Sequence, residues 1–474
     1  MTSSAAALAA ALLAACASNH PTGPPPPDSA QAVGFLDTLE QRTFRYFWDL
    51  TNTTNGLTPD RSAAGSFSSI AAVGFALTAY PIGVERRYVT RAAAAQRALT
   101  TLQFFWSAPQ SSAATGVTGY KGFFYHFLDM STGQRFGTVE LSTIDTALLL
   151  AGVLTCQSYF TNPSDSVETT IRRLADSIYR RADWQWAANS SPADSITLGW
   201  TPENGFIPYY WKGYNEAMLI YILALGSPTH PADSTAWGAW TSTYQWGTFQ
   251  GQTYLGFGPL FGHQYSHVWI DFRGIQDAYM AAHGIDYFEN SRRATYAQRS
   301  YAIANPGAWL GYGDRRWGLT ASDGPANTTL TLAGRSRTFH TYWARGASFT
   351  DLEDDGTIAP TAAGGSIPFA PEIALPALWA MRDKYGVNLF STYGFLDAFN
   401  PTFTAVGQAT QGRVDPQLGW FDTDYLGIDE GPMLAMAENY RTGLVWQLLR
   451  ANPYVVRGLC RAGFSGGWLA GRCP

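Results

Sequence analysis

The feature that most constrains this chain is a set of helical segments that are apolar on nearly every face. "SSIAAVGFALTAY" (68–80), "LSTIDTALLLAGVLTCQSYF" (141–160) and "GYNEAMLIYILALGSPTH" (213–230) carry few polar residues outside their ends. A helix that is hydrophobic all round has to be enclosed by other structure. Between such segments lie amphipathic ones, "TRAAAAQRALTTLQFFW" (90–106) and "SVETTIRRLADSIYRRADWQWA" (166–187), suited to covering a buried face.

Six buried or mostly buried segments are read, beginning near Ser69, Thr143, Glu216, Asp271, Pro371 and Gly431. Their alternation with half-exposed helices predicts an all-α fold of two concentric rings. This is an (α/α)6 barrel of six inner and six outer helices, with long loops and small β-hairpins over one face. Parallel inner helices place all their N-termini at that face. A layered α/β fold would need repeated Val- and Ile-rich strands, and few occur. "GFFYHFLD" (122–129) and "TLTLAGRSRTFHTYWA" (329–344) are expected as hairpins above the rings, and 305–369 has few helix signals. Residues 33–474 are read as one domain.

Residues 1–15 read as a signal peptide. The apolar run "AAALAAALLAAC" is too short to span a bilayer. Leu13-Ala14-Ala15-Cys16 resembles a bacterial lipobox, which implies lipidation of Cys16; a plain secretory signal is the alternative. Residues 16–32, rich in Pro, form a tether. The expectation is an exported lipoprotein, periplasmic or anchored at the outer membrane, that meets the membrane only through this lipid and acts as a monomer. Cys156 reads as a core thiol, and Cys460 and Cys473 as a disulfide pair in an exported protein. The net charge of −5 gives no basis for nucleic acid binding.

Carboxylates recur where the inner helices are expected to start. Glu140 precedes one start and Asp145 lies in its first turn; Glu216 opens another; Asp271, with Arg273 beside it, opens a third; Asp429 and Glu430 precede the sixth. Each has a structural explanation. Acids suit helix N-termini, Ser142-x-x-Asp145 fits a capping box, and Asp271 can pair with Arg273. Capping does not explain why "PYYWKGYNEA" (208–217) surrounds Glu216 with aromatic residues. Paired carboxylates in an aromatic cleft suit glycosidic bond hydrolysis, one donating a proton and the other activating water. The helix dipole opposes this, because it lowers a carboxyl pKa that a general acid needs raised. No metal or cofactor is expected. His263 and His267 have i,i+4 spacing without the zincin glutamate, and "DLEDDG" (351–356) lacks the closing acid of an EF-hand loop, although a looser ion site stays open.

"SSIAAVGFALTAYPIGVERRYVTR", "ELSTIDTALLLAGVL", "GYNEAMLIYILALGSPTH", "FGPLFGHQYSHVWIDFRGIQDAY", "DYFENSRRAT", "WGLTASDGP", "APTAAGGSIPFAPE" and "GFLDAFN" together resemble the bacterial glucoamylase-like domain family. That family includes endo-β-1,2-glucanases and a domain of cyclic β-1,2-glucan synthases. The resemblance covers about residues 33–450 and implies an (α/α)6 barrel that hydrolyses β-1,2-glucans with inversion. It places the general acid on Glu216 and active-site acids on Glu140 and Asp145. For the base, Asp145 ranks first, then Asp429 and Glu430. Tyr210, Trp211, Tyr214, His263, His267, Asp271, Arg273, Trp317 and Asp323 are the expected sugar contacts. The rival readings are an exo-acting or transglycosylating enzyme on another glucan linkage, a non-catalytic glycan-binding lipoprotein, and a polysaccharide lyase.

Overall fold

The computed structural model describes residues 29–188 and 194–473. Sixteen α-helices run through these residues in chain order. They are α1 Ser29–Leu50, α2 Ile70–Glu85, α3 Arg91–Ser107, α4 Thr143–Tyr159, α5 Ser166–Arg181, α6 Trp184–Ala188, α7 Met218–Gly226 and α8 Ala236–Thr241. There follow α9 Tyr265–Trp269, α10 Ala278–His283, α11 Tyr287–Ala304, α12 Pro360–Gly364, α13 Pro371–Tyr385, α14 Gly427–Arg441, α15 Leu444–Ala451 and α16 Pro453–Arg461.

The fold is an (α/α)6 barrel. Its inner ring is α2, α4, α7, α9, α12 and α14, and their N-termini share one mouth. Almost every residue of α2, α4 and α7 is buried, as helices without a polar face require. The α2–α4 crossing is close enough to demand glycine: a Cβ at Gly74 would lie 2.3 Å from the Leu148 carbonyl oxygen, and one at Gly152 2.1 Å from that of Gly74. Outside run α1, α3, α5, α11 and α13, each turning one apolar stripe inward. The α8 residue Trp240 packs on Tyr221 of α7, and Gly458 of α16 abuts the Ile222 carbonyl, so these two helices together cover α7. The far end of the barrel is closed by α15, whose Trp446 indole donates to the His267 carbonyl at 2.7 Å. A disulfide joins Cys460 to Cys473, and Cys156 is a buried free thiol.

Two of the expected inner starts are displaced. Pro371 opens the outer helix α13, and the inner helix is the single turn α12, inside the segment read as helix-poor. Its composition, Pro-Thr-Ala-Ala-Gly, gives no periodic signal, and burial by neighbours supplies the stability that propensity does not. Asp271 follows the end of α9, which is one turn long and starts at Tyr265. The helix α1 begins at Ser29, within the stretch read as tether, while Cys16 lies outside the described residues.

Short antiparallel strands roof the mouth. A five-stranded sheet pairs Phe124 with Ser142 and Leu141 with Trp200, and so fixes Ser142 as the N-cap of α4. Ser69, the N-cap of α2, pairs with Phe127. Hairpins form at 119–125 and 328–339.

Candidate active site

Glu216 sits in the loop that enters α7, two residues before the helix begins. Its backbone is pinned: the Ser266 hydroxyl on α9 donates to the Glu216 carbonyl at 2.9 Å and accepts from the Leu219 amide at 3.0 Å. The preceding Trp211 is fixed by its indole N–H donating to Thr143 Oγ1 at 3.0 Å. The Glu216 Oε2 is sealed from solvent without a hydrogen-bond partner. Burial therefore outweighs the helix-start effect. It raises the carboxyl from its usual 4.5 to about 7, and the charge of Asp145 adds to the shift.

Asp145 is buried in the first turn of α4, its amide bonded to Ser142 Oγ at 3.2 Å and its Oδ2 accepting from the same hydroxyl. On its other side stands His126, in the bend between the short strands Phe123–Tyr125 and Phe127–Leu128. His126 Nε2 is 3.5 Å from Asp145 Oδ2, and Nδ1 is 2.8 Å from Glu140 Oε1. Burial disfavours the imidazolium, but these two acids together with Asp60 raise His126 to about 9. In return, and against the upward push of burial, the bond to His126 and its charge hold Glu140 below its usual value.

Across the mouth lies a second group of acids. Asp323, Asp397 and Asp422 each place a carboxylate oxygen within 4.8 Å of the others. Strand pairing builds the group: Phe399 opposite Phe421 brings Asp397 to Asp422, and Ser322 opposite Trp343 brings Asp323 towards Tyr342. Asp429, in the first turn of α14, joins them. Arg61 reaches the group through Asp323, with Nη1 at 2.8 Å from Asp323 Oδ2 and 3.7 Å from Asp424 Oδ2 and Nε at 3.3 Å from Asp60 Oδ2. Asp397 Oδ1, Asp422 Oδ2 and Asp429 Oδ2 are buried without partners. Burial, reinforced by the like charges, lifts Asp397 and Asp422 well above the carboxylate range and Asp429 to about 8. The spacing of these oxygens could accept a cation, and the raised carboxyls, which favour their protonated forms, relieve the same crowding of charge. Tyr265 bridges the two halves: burial, then Asp429, Tyr342 and Glu216, push its phenol up.

The mouth thus collects Glu216, Asp145, Glu140, Asp429 and Asp323, with Trp211 and Tyr210 half-buried beside them on the Glu216 loop. Other expected site residues lie elsewhere. Glu430 points outward, its Oε2 and Thr43 Oγ1 of α1 both lying close to Gly394. Tyr214 is core, stacked between Tyr244, His263 and Tyr287. His263 and His267 are fully buried; His263 Nε2 lies 3.1 Å from the Phe257 carbonyl, and His267 Nε2 3.1 Å from Ser291 Oγ. Burial lowers the first to about 4 and the second well below its usual value, so both are neutral packing residues. Trp317 is fully buried. Asp271 binds Arg273 at 2.7 Å and Arg450 of α15, which assigns it to the closed end of the barrel. The acids of 351–356 are also engaged: Asp355 pairs with Arg345 at 2.6 Å and Asp354 accepts from Tyr301 and Tyr312.

Sequence reasoning missed His126, Asp60, Arg61, Asp397, Asp422, Tyr265 and Tyr342. Two of these had a signal in the acid-rich run "FDTDYLGIDE" and the acid of "GFLDAFN". A concavity of about 860 Å³ on the outer wall, lined by Arg42, Arg45 and Arg382, holds none of the mouth acids.

A barrel of this kind, with acids gathered at the inner-helix N-termini, is a glucoamylase-like (α/α)6 domain. The chain belongs to the family described as "Putative glucoamylase", whose model matches residues 208–453. A "putative glucoamylase" from Bacteroides uniformis is 32% identical, with a TM-score of 0.77, over 92% of this chain and 98% of that one. An endo-β-1,2-glucanase from Chitinophaga pinensis, solved with sophorotriose and glucose, is 27% identical, with a TM-score of 0.77, over 92% of this chain and 99% of that one. The exo β-1,2-glucooligosaccharide sophorohydrolase (non-reducing end) of Parabacteroides distasonis is 28% identical over 90% of this chain. The match spans 57% of that relative's length.

Proposed function

We propose that this protein is a glycoside hydrolase that cleaves β-1,2-linked glucans within the chain, with inversion at the anomeric carbon. The observation that carries the reading is Glu216, a carboxyl that keeps its proton near neutral pH, has its Oε2 buried without a hydrogen-bond partner, and lies within electrostatic reach of Asp145. Glu216 donates its proton to the glycosidic oxygen as the C–O bond breaks. Asp145, with His126 at its side, takes a proton from the water whose oxygen bonds to the anomeric carbon from the opposite face. Glu140 acts through His126. The acids across the mouth, Asp323, Asp397, Asp422 and Asp429, give that side of the cleft hydrogen-bonding groups for sugar hydroxyls.

Chain-internal cleavage is favoured by aromatic side chains exposed around the mouth, Tyr209 at 67%, Tyr342 at 48% and Trp343 at 42%. The second reading, release of a short unit from one end, follows from the name of the Parabacteroides relative. Incubation of residues 33–474 with linear β-1,2-glucan separates the two. Products of mixed length with inverted configuration support internal cleavage, a single product length supports the exo reading, and an untouched glucan removes both. We also infer export with a lipid on Cys16. The lipobox-like Leu13-Ala14-Ala15-Cys16 and the disulfide, a bond suited to oxidising compartments, support this. Mass spectrometry of the N-terminal peptide tests it.

A further inference from the structure

A row of aromatic rings leads from the acids to solvent. His126, in contact with Asp145 and Glu140, stacks on Phe127 with ring centroids 4.0 Å apart. Phe127 lies 4.3 Å from Phe67, and Phe67 lies 4.9 Å from Phe136. Phe127 and Phe67 are half-buried, and Phe136 is 41% exposed.

The bland explanation for three adjacent phenylalanines is core packing. It fails here, because none of the three belongs to a hydrophobic cluster of the barrel or packs against one. They touch one another and the site. Their backbones are held by the same elements that hold the acids. Phe67 O accepts from the Asp60 amide at 2.8 Å, Phe127 pairs with the α2 cap Ser69, and the Phe136 amide donates to Phe127 O at 3.0 Å. Both halves of the mouth therefore fix the position of this ledge. Solvent-exposed rings without a core role lose free energy unless something flat and partly apolar covers them. The C–H faces of pyranose rings meet that description, and the ledge begins one ring from the reacting carboxylates.

We propose that Phe127, Phe67 and Phe136 form a platform for sugar units of the glucan outside the bond being cleaved, so that longer chains are preferred over short ones. This rests on the glucanase reading given above. It needs no charge on the ligand and no metal; the ligand class is a neutral β-linked glucan lying along the rings.

The test compares wild type, Phe136→Ala, Phe67→Ala and Phe136→Tyr on long linear β-1,2-glucan and on the β-1,2 trisaccharide. The expected result is a fall of about tenfold in kcat/KM for the long chain relative to the trisaccharide in both alanine variants, the size of losing one good aromatic contact. The loss should lie in KM, and Phe136→Tyr, which keeps a flat ring, should restore it. Glu216→Gln protein, which binds without turnover, should show the same loss in calorimetric affinity for the long glucan. Equal effects on both substrates, or none, with the variants' melting temperatures unchanged, overturn the platform. Failure of wild type to cleave or bind either substrate removes the glucanase reading and the platform with it. Cleavage by wild type with indifferent ledge variants removes the platform alone.

Discussion

Buried acids occur in two settings in this barrel, and the settings differ in charge balance. On the walls and at the closed end several buried carboxylates are held by cations. Asp355 takes two bonds from Arg345, Glu168 is held by Arg91, and Asp271 by Arg273 and Arg450. Even Glu40, which burial and Glu438 raise to about 7, touches Arg86 and Arg441. At the mouth, among the described residues, Glu216, Asp397, Asp422 and Asp429 form no ion pair, and Asp323 shares the guanidinium of Arg61 with Asp60 and Asp424. Buried charge is normally paired because desolvation costs several kcal/mol per ion. A site that leaves it unpaired is storing proton donors and hydroxyl acceptors instead of stability.

The sharpest way to break this comparison is to remove one acid from each setting. Glu216→Gln should lower turnover of β-1,2-glucan by about a thousandfold, within the range for loss of a general acid, without destabilising the fold. Glu216 in the folded state keeps its proton up to about 7 while the unfolded chain releases it near 4.5. Above that window the folded protein bears the cost of a buried charge. The glutamine variant should therefore melt at an equal or higher temperature at pH 8. A loss of stability with retained turnover would reverse the assignment of this acid. Turnover by wild type should decline as pH rises through about 7.

Arg345→Met makes the opposite case. It strands Asp355, which the salt bridge holds below the usual carboxylate range in spite of burial. Breaking such a pair from one side costs about 3–5 kcal/mol, read in a urea melt, and kcat at a permissive temperature should change little.

His126 tests the boundary between the settings, being a cation inside the mouth. With a folded value of about 9 against the usual 6.5, its contribution to stability is whole below pH 6.5 and lost as pH rises through about 9. His126→Gln should thus lower the melting temperature at pH 6 and leave it near wild type at pH 10. It should also change the acid side of the kcat profile, because Glu140, which His126 holds below its usual value, loses that neighbouring charge. A purely structural histidine would shift the melting curve and not the profile.

Much of this was legible in the sequence. The all-apolar α2, α4 and α7 gave the inner ring, and the acids at Glu216, Asp145 and Asp429 marked the mouth before any coordinates. The failures have a common cause, which is that short elements are placed by tertiary contacts. The one-turn helices α9 and α12 carry too few residues for a period to show, so the sequence pattern points to Asp271 and Pro371 as inner starts instead. His263 and His267 read as polar contacts, but their helix is enclosed and they became neutral core residues. His126, Asp397 and Asp422 lie beside two- or three-residue strands whose pairing, and not their local sequence, carries them to the mouth.

The smallest effect probes the charge balance most directly. Asp422→Asn and Asp355→Asn are the same chemical change in the two settings, and their stability effects should differ in sign. Asp355 is lowered, so its contribution is present above pH 3.8 and is lost as pH falls through its folded value; the asparagine variant should cost about 1.5–3 kcal/mol at pH 8. Asp422 is raised, so the folded state binds its proton more tightly than the unfolded chain, and stability declines as pH rises from 3.8 towards the folded value. Removing that burden should stabilise the protein at pH 8, with little gain at pH 4. Should both variants destabilise equally at pH 8, the mouth acids are paired in solution by something other than protons. Calcium added to the wild type should then raise its melting temperature, and Asp422→Asn should abolish that rise.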